Sequence, residues 1–569
     1  MSIETPRIAP TRHSAGAVWS NPIFRRYCQS RLRPGALGVS LLIAVLVAGF
    51  IVALVHSIGI REHMKPTDAA RPGIIALFIF QMLILFVFGT AQVAGGITAE
   101  RDEGVIDYQR LIPMTPLSKV LGYLFGLPIR EYAMFLATLP FTAWSMWRGE
   151  VAWKVWLPLY TVLLSSTLLY HFTGLVTGTV VRNRRWAFLA SIGAVLCLYT
   201  VIPQMAKVGL VFFKYLTIYP VLDECWPYIL PESAAAVVKI GQRLIPTVKF
   251  FGLDFSEIVF TAFSQGGLIL TFIIMLCRKW RRAEAHLLGK IWAAGFFIWI
   301  QILLLGNALP LIDPGNLFPS RGFKGLFRFQ SPQTWQPDPI EAVAMSGLYG
   351  FVTLVLIFIL AVIITPSAEN QVRGWRRARK QGASSLPRLS DAATGFWAVL
   401  LMAVAGAAGW FIFTRALVES RWFPGHTMPL STLGYFVAVM LAGGVGFQTL
   451  LEAKGGRVVG LVTIFAGVVP VMAGAVLGAI SDRMIPLASW LNGMSPVSLP
   501  VYAAGTLLSI AELPEQAARA IPRAFYFWLL VSTLIMCWLT VRLWTTRRAI
   551  ARSVLAAPAD GPPVEVVSV

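Results

Sequence analysis

Residues 97–119 carry a dense charge cluster, Glu100-Arg101-Asp102-Glu103-Gly104, that runs into an amphipathic turn. Val105, Ile106, Leu111 and Ile112 are apolar there, whereas Asp102, Glu103, Asp107 and Arg110 are polar. Thr115-Pro116 then reads as an N-cap with proline at the first helical position, opening the next element. A short amphipathic helix of this kind can dock into a groove on a partner and pass on its motion.

A second set of residues has the chemistry of a transport path. Arg130 and Glu131 lie inside an apolar segment, where ionisable groups are expensive. Being adjacent, they point about 100° apart on a helix and are expected to be poor partners, placed near a polar face or at a break after Pro128. Gln81, Gln92 and His171 are further polar residues in apolar segments, as are Ser165, Ser166, Tyr170, Gln301 and Asn307. Interhelical hydrogen bonds are the first expectation for such groups. Gly174 and Gly178, and Gly460, Gly467, Gly474 and Gly478, recur at spacings that allow close helix packing or contact with a second copy.

Other chemistries lack their residues. There is no G-x-x-x-x-G-K-[ST] and no HExxH. The six histidines form no metal-spaced cluster, and the five cysteines (28, 197, 225, 277 and 537) form no CxxC pair. Neither a metal nor a cofactor is expected in this chain. Asp223, Glu224, Asp254 and Glu257 read as scattered acids without partners, which weakens the alternative of a membrane-embedded enzyme acting on lipid substrates.

The elements that position these residues follow from composition. The 569 residues are 56% hydrophobic and 13% charged, with mean hydropathy +0.69. A soluble domain carries about 25% charged residues, so an ordinary soluble enzyme and a disordered chain are both excluded. Twelve apolar segments long enough or nearly so to cross a bilayer can be read: 36–60, 72–98, 120–147, 155–181, 186–204, 257–277, 291–311, 341–365, 392–414, 428–451, 458–480 and 523–540. The stretch 208–222 adds an expected interfacial or re-entrant helix. The fold class is therefore an all-α polytopic membrane protein of about 12 transmembrane helices.

Net charge is +21, from 48 Lys+Arg against 27 Asp+Glu. With the N-terminus inside, 29 of the basic residues fall in cytoplasmic segments and 18 in the longer outer ones, so both termini are expected in the cytoplasm. The clusters include Arg182/Arg184/Arg185 and Arg373/Arg376/Arg377/Arg379/Lys380. They read as topology determinants, or as contacts to anionic lipid headgroups of the bilayer. No soluble module pairs them with base-stacking aromatics, so nucleic acid is not an expected partner. The first 35 residues are polar and basic, without a visible cleavable signal.

The spans divide into six plus six. The organisation is a cytoplasmic N-terminal segment 1–35, a first half 36–282, a second half 283–545 and a tail 546–569 expected to be disordered. In each half a short basic loop joins the fourth and fifth spans, and a long outer loop joins the fifth and sixth. An even number of spans per half makes these parallel repeats.

The segment "ITAERDEGVIDYQRLIPMTPLSKVLGYLFG" resembles the one after the second span in permeases of type-two ATP-binding-cassette (ABC) exporters. "NPIFRRYCQSRLRPG" resembles that family's cytoplasmic entry helix. The resemblance covers residues 20–280 and extends to the second half by layout only. There the loop "PSAENQVRGWRRARKQGASSLPRLSD" lacks the Glu-Arg-x-x-Gly run. It implies an exporter permease in the plasma (inner) membrane, coupled to a separate cytoplasmic ATPase that binds the ATP. The coupling residues would be Glu100, Arg101, Asp102, Glu103, Gly104 and Arg110. The permease would act as a homodimer or as a self-contained pseudodimer. A secondary carrier is the remaining alternative, disfavoured by how few carboxylates lie in the spans.

Overall fold

A computed structural model describes residues 18–181, 183–231, 247–319, 336–508, 510 and 515–556. It is all-α apart from one hairpin, Thr247–Phe250 (β1) with Leu253–Ser256 (β2). The chain divides into two compact units. The first runs to residue 285 except for 205–212 and 249–253, which fall with the second.

The first unit holds α1 (Pro22–Arg31), α2 (Pro34–Arg61), α3 (Pro66–Asp102), α4 (Val105–Leu111), α5 (Pro116–Gly126), α6 (Ile129–Arg148), α7 (Trp153–Val180), α8 (Arg184–Thr200), α9 (Tyr219–Ile229) and α10 (Glu257–Arg281). The second holds α11 (Lys290–Ile312), α12 (Pro339–Ile364), α13 (Ala368–Lys380), α14 (Phe396–Val418), α15 (Leu430–Ile480), α16 (Ile485–Gly493), α17 (Leu499–Leu507) and α18 (Glu515–Ala556).

Helix starts follow a local rule. Proline opens α1, α2, α3, α5 and α12, where its missing N–H costs nothing. Asn21, Thr115 and Asp338 precede three of these prolines and accept from free N–H groups of the first turn. The Thr115-Pro116 cap expected from sequence is thus present, its Oγ1 accepting from Ser118 N at 3.2 Å.

Ten helices among the described residues are long and apolar enough to cross a membrane, or eleven if α5 and α6 count as one bent span. Their outward faces are apolar: Leu42, Leu46 and Phe50 on α2 and Leu530, Leu534 and Trp538 on α18 are all exposed. A surface of this kind needs lipid rather than water around it. Polar groups such as Gln81, Gln265 and Gln301 are buried instead.

Several expected boundaries change. The third span, 120–147, is two helices that meet at 52° across Leu127 and Pro128: Leu127 is still helical, whereas Pro128 leaves helical backbone (φ −95°, ψ 25°) and has no N–H to continue the ladder. The expected loop Glu452–Arg457 is helix except for a break at Gly455 (φ 77°, ψ 170°). The helix of the last span continues to Ala556, into the segment read as a tail, and 557–569 lie outside the described residues. The stretch 208–222 holds a short 3-10 turn, Val211–Leu216, and the start of α9.

The expected packing glycines divide in two. A Cβ on Gly174 would come within 2.8 Å of Thr90 O, and one on Gly178 would clash with Ile97 Cγ2, so both let α7 lie against α3. A Cβ on Gly474 would likewise clash with the Asn492 side chain. At Gly467 and Gly478 the nearest neighbours of such a Cβ are at 3.7 and 3.8 Å, which leaves room for a methyl group. Gly178→Ala should therefore lower the unfolding temperature, at an overpacking cost of about 1–3 kcal/mol. Gly478→Ala should be neutral or stabilising by up to about 1 kcal/mol, from helix propensity. Thermal unfolding in detergent checks both signs.

Candidate functional site

The charged segment after α3 is organised around two inward-turned side chains. Glu100 accepts from the guanidinium of Arg26 and from the hydroxyls of Tyr27 and Tyr123. Its side chain is only 12% exposed. Burial, and then the Glu100 carboxylate, push the Tyr27 phenol well above its ordinary range, so it remains a donor. Arg101 turns the other way. It donates to the carbonyls of Gly178 (3.3 Å), Thr179 (3.1 Å) and Val181 (2.6 Å), where α7 ends. These are the carbonyls a helix terminus leaves without partners, and the cation also suits the negative end of the helix dipole. Glu100 and Arg101, expected at the partner surface, thus clamp α1, α3, α5 and α7 together.

Past this clamp the chain reverses at Gly104, whose φ of 73° favours glycine, and re-enters helix as α4. Ile106 and Gln109 are buried. Lys119 Nζ donates to Gln109 O at 2.7 Å and Arg110 O at 3.3 Å, holding the far end of α4 onto α5. Arg110 pairs with Asp107 along the helix. Tyr108 is left 71% exposed and Leu111 81% exposed. Glu103 and Asp107 are exposed beside them, and Asp102 is about half exposed. The result is a short helix, pinned at both ends, that carries two apolar side chains on an acidic rim. It holds no catalytic constellation. Its geometry suits protein docking.

Tyr108 and Leu111 were not legible as the outward pair. The apolar pattern groups Leu111 with Ile106, yet only Ile106 is buried. The available signal was the i, i+3 spacing of Tyr108 and Leu111, which places them on one face.

The expected path residues fall in two groups: Gln81 and His171 are taken up by interhelical bonds, whereas Gln92, Arg130 and Glu131 come together around Arg31. Gln81 Nε2 donates to Thr138 Oγ1 (3.0 Å) and Thr142 Oγ1 (2.9 Å), and its Oε1 accepts from the Tyr160 hydroxyl at 2.6 Å. His171 is fully buried against a π-helical turn at Leu83–Gly89 of α3. Its Nε2 lies 2.9 Å from Leu85 O and so must carry the proton, while Nδ1 accepts from Tyr132 at 2.8 Å. Both residues tie helices together. Arg130 and Glu131, expected to be poor partners, form an ion pair at 3.0 Å. The long arginine side chain curls around the 100° step in the first turn of α6, just after the break at Pro128. Gln92 accepts from Arg31 Nη1 at 2.8 Å and lines a cleft.

Two further groupings escaped the sequence. Asp223, Glu224 and Glu257 were read as scattered, yet Glu257 lies within electrostatic reach of both other acids and of Lys214, and Asp223 within reach of Lys214. Burial raises the carboxyls of Asp223 and Glu224 above the usual range, with Lys214 opposing this at Asp223. Among the described residues no group of His, Cys, Asp or Glu is arranged to hold a metal. In the second unit Glu452, with a fully buried side chain, accepts from Gln371 (3.2 Å), Thr394 (2.8 Å), Gln448 (2.6 Å) and the guanidinium of Arg547. Nearby, Lys290 Nζ donates to the carbonyls of Arg388, Ser390 and Ala393.

Comparison with known protein families, curated proteins and solved structures finds no match to this chain. The class rests on the molecule itself. It is an all-α protein whose many long apolar helices fit a multi-pass membrane protein.

Proposed function

We propose that the chain is the membrane permease of an ABC-type exporter, driven by a separate ATPase that docks on α4. The observation that carries this reading is the pinned helix with Tyr108 and Leu111 outward. Force applied to α4 would pass through Lys119 to α5 and through the Glu100–Arg101 clamp to α1, α3 and α7. Gln81 and His171 are saturated by neighbouring helices, which favours an external energy source over an ion-coupled carrier.

The span count supports two six-helix halves. At 1.5 Å per residue the 51 residues of α15 reach about 75 Å, more than twice the hydrocarbon core of roughly 30 Å. Counting it as two spans around the break at Gly455, and α5 with α6 as one, would give twelve among the described residues, in keeping with this reading. In the second half the position matching α4, after the second span, is taken by α13, which is rich in arginine and lacks the Glu-Arg-x-x-Gly run.

Tyr108→Ala combined with Leu111→Asp tests the docking. Burying an exposed leucine is worth about 1.5–3 kcal/mol, so co-purified ATPase should fall by about tenfold or more at unchanged unfolding temperature. Equal recovery of ATPase with the double variant would overturn the reading.

Both termini on the ATPase side is part of the same proposal. Native thiols are poor reporters of it. Cys225 is buried, its thiol is pushed up to about 12 by burial and then by Glu224 and Glu257, and it lies 3.3 Å from Val155 O. It should resist maleimide at pH 7 in intact and permeabilised cells alike. In a cysteine-free background, Tyr108→Cys should label only after permeabilisation and Trp147→Cys in intact cells. The reverse pattern would invert the topology.

A further inference from the structure

A cleft of about 560 Å³ opens between α3 and α8 in the first unit. Gln92 and Gly95 line it from α3, and Arg184, Arg185, Phe188 and Leu189 line it from the start of α8. Helical spacing sets Phe188 one turn beyond Arg184 and Leu189 one turn beyond Arg185. The cleft therefore has two guanidinium groups where the span begins and two exposed apolar side chains one turn further along it.

Its charge is uncompensated. Arg184 and Arg185 make no ion pair among the described residues. Arg31 reaches the same place, its Nη1 on Gln92 Oε1 at 2.8 Å, with one Nη about 3.5 Å from where a Cβ on Gly96 would sit. Arg184 Nε lies 4.0 Å from the corresponding point on Gly95. Burial lowers the Arg31 guanidinium from its ordinary value, Glu131 and Tyr27 oppose that, and Arg130 and Arg184 add repulsion. Arg31 is thus repelled by Arg130 and Arg184 and attracted by one carboxylate, Glu131, part of which Arg130 already occupies. An anion held between guanidinium groups by charge-assisted hydrogen bonds would relieve this repulsion.

We propose that the cleft binds an anionic phospholipid, with the phosphate between Arg184, Arg185 and the Arg31–Gln92 pair and an acyl chain over Phe188 and Leu189. The pairing of cation and apolar side chain one helical turn apart matches an amphiphile, not a free phosphate. The site stands independently of any ATPase partner.

The test uses the full chain in neutral phosphatidylcholine nanodiscs, with bound phosphatidylglycerol read by native mass spectrometry. Arg184→Gln with Arg185→Gln removes the charge. Gly95→Leu fills the cleft and keeps every charge, since a Cβ there meets nothing closer than 4.0 Å. Arg376→Gln with Lys380→Gln makes the same charge change on α13 as a control. Wild type should retain phosphatidylglycerol over phosphatidylcholine. The arginine pair and Gly95→Leu should each lose this about tenfold, the control should not, and soluble glycerol phosphate should not compete at equal concentration. Equal losses in the control, undiminished binding by a folded Gly95→Leu, or equal binding of glycerol phosphate would each overturn the proposal. Should Gly95→Leu fail to fold, the exposed arginine pair against its control decides alone.

Discussion

Glu452→Ala should cost about 3–5 kcal/mol and is expected to be the most damaging single substitution in the second unit. The carboxylate is fully buried and gathers donors from Gln371, Thr394, Gln448 and Arg547. Removing it strands a guanidinium whose side chain is only 11% exposed, together with a hydroxyl and two amides. A buried cation without its partner keeps its desolvation cost and loses the attraction that offset it. Glu452→Gln should cost less, because the amide oxygen still accepts. Glu452→Gln with Arg547→Gln should recover part of the loss, giving a coupling energy of about 0.5–3 kcal/mol in a double-mutant cycle. Chemical unfolding in detergent measures each of these, with Arg547→Gln alone completing the cycle. Additive single effects would mean that the pair does not act as a unit.

Glu100→Ala is expected to be second, at about 2–3 kcal/mol, because two phenols and a guanidinium lose their acceptor. The cost is smaller than at Glu452 because Arg26 is 43% exposed and can be rehydrated. Loss of the clamp should free α1 from α3 and α5, so limited proteolysis between Arg25 and Arg33 should accelerate. Glu103→Ala, three residues on and exposed, should leave both stability and proteolysis unchanged. That contrast separates the structural half of the charge cluster from the half available to a partner. An equal drop for Glu103→Ala would remove the distinction.

Composition and hydropathy were enough to read the fold class, because a bilayer demands long apolar helices and little else supplies them. Local chemistry was equally legible where it is local: Thr115-Pro116 caps α5, and a helix does form at Val105–Leu111. Facing was not legible. Inside a membrane, lipid and neighbouring helices are both apolar, so periodicity does not tell which side of a helix meets protein. The inward turn of Glu100 and Arg101, outside the spans, was hidden for another reason: their partners Arg26, Tyr27, Tyr123 and the end of α7 are remote in the chain. Glu452 looked like part of a short charged loop because its donors lie 81, 58 and 95 residues away in the chain at Gln371, Thr394 and Arg547. Arg130 and Glu131 were misjudged because fixed helical angles ignore how far an arginine can curl.

The coupling role of α4 is the central claim, and it has a direct test. A photo-crosslinking amino acid placed at Leu111, with a second at Leu46 on the lipid-facing side of α2 as control, can be activated in native membranes. The crosslinked partners are then identified by mass spectrometry. Capture of a P-loop ATPase from position 111 and not from position 46 is the expected result. Recovery of only lipid, or of the same partners from both positions, would contradict the claim.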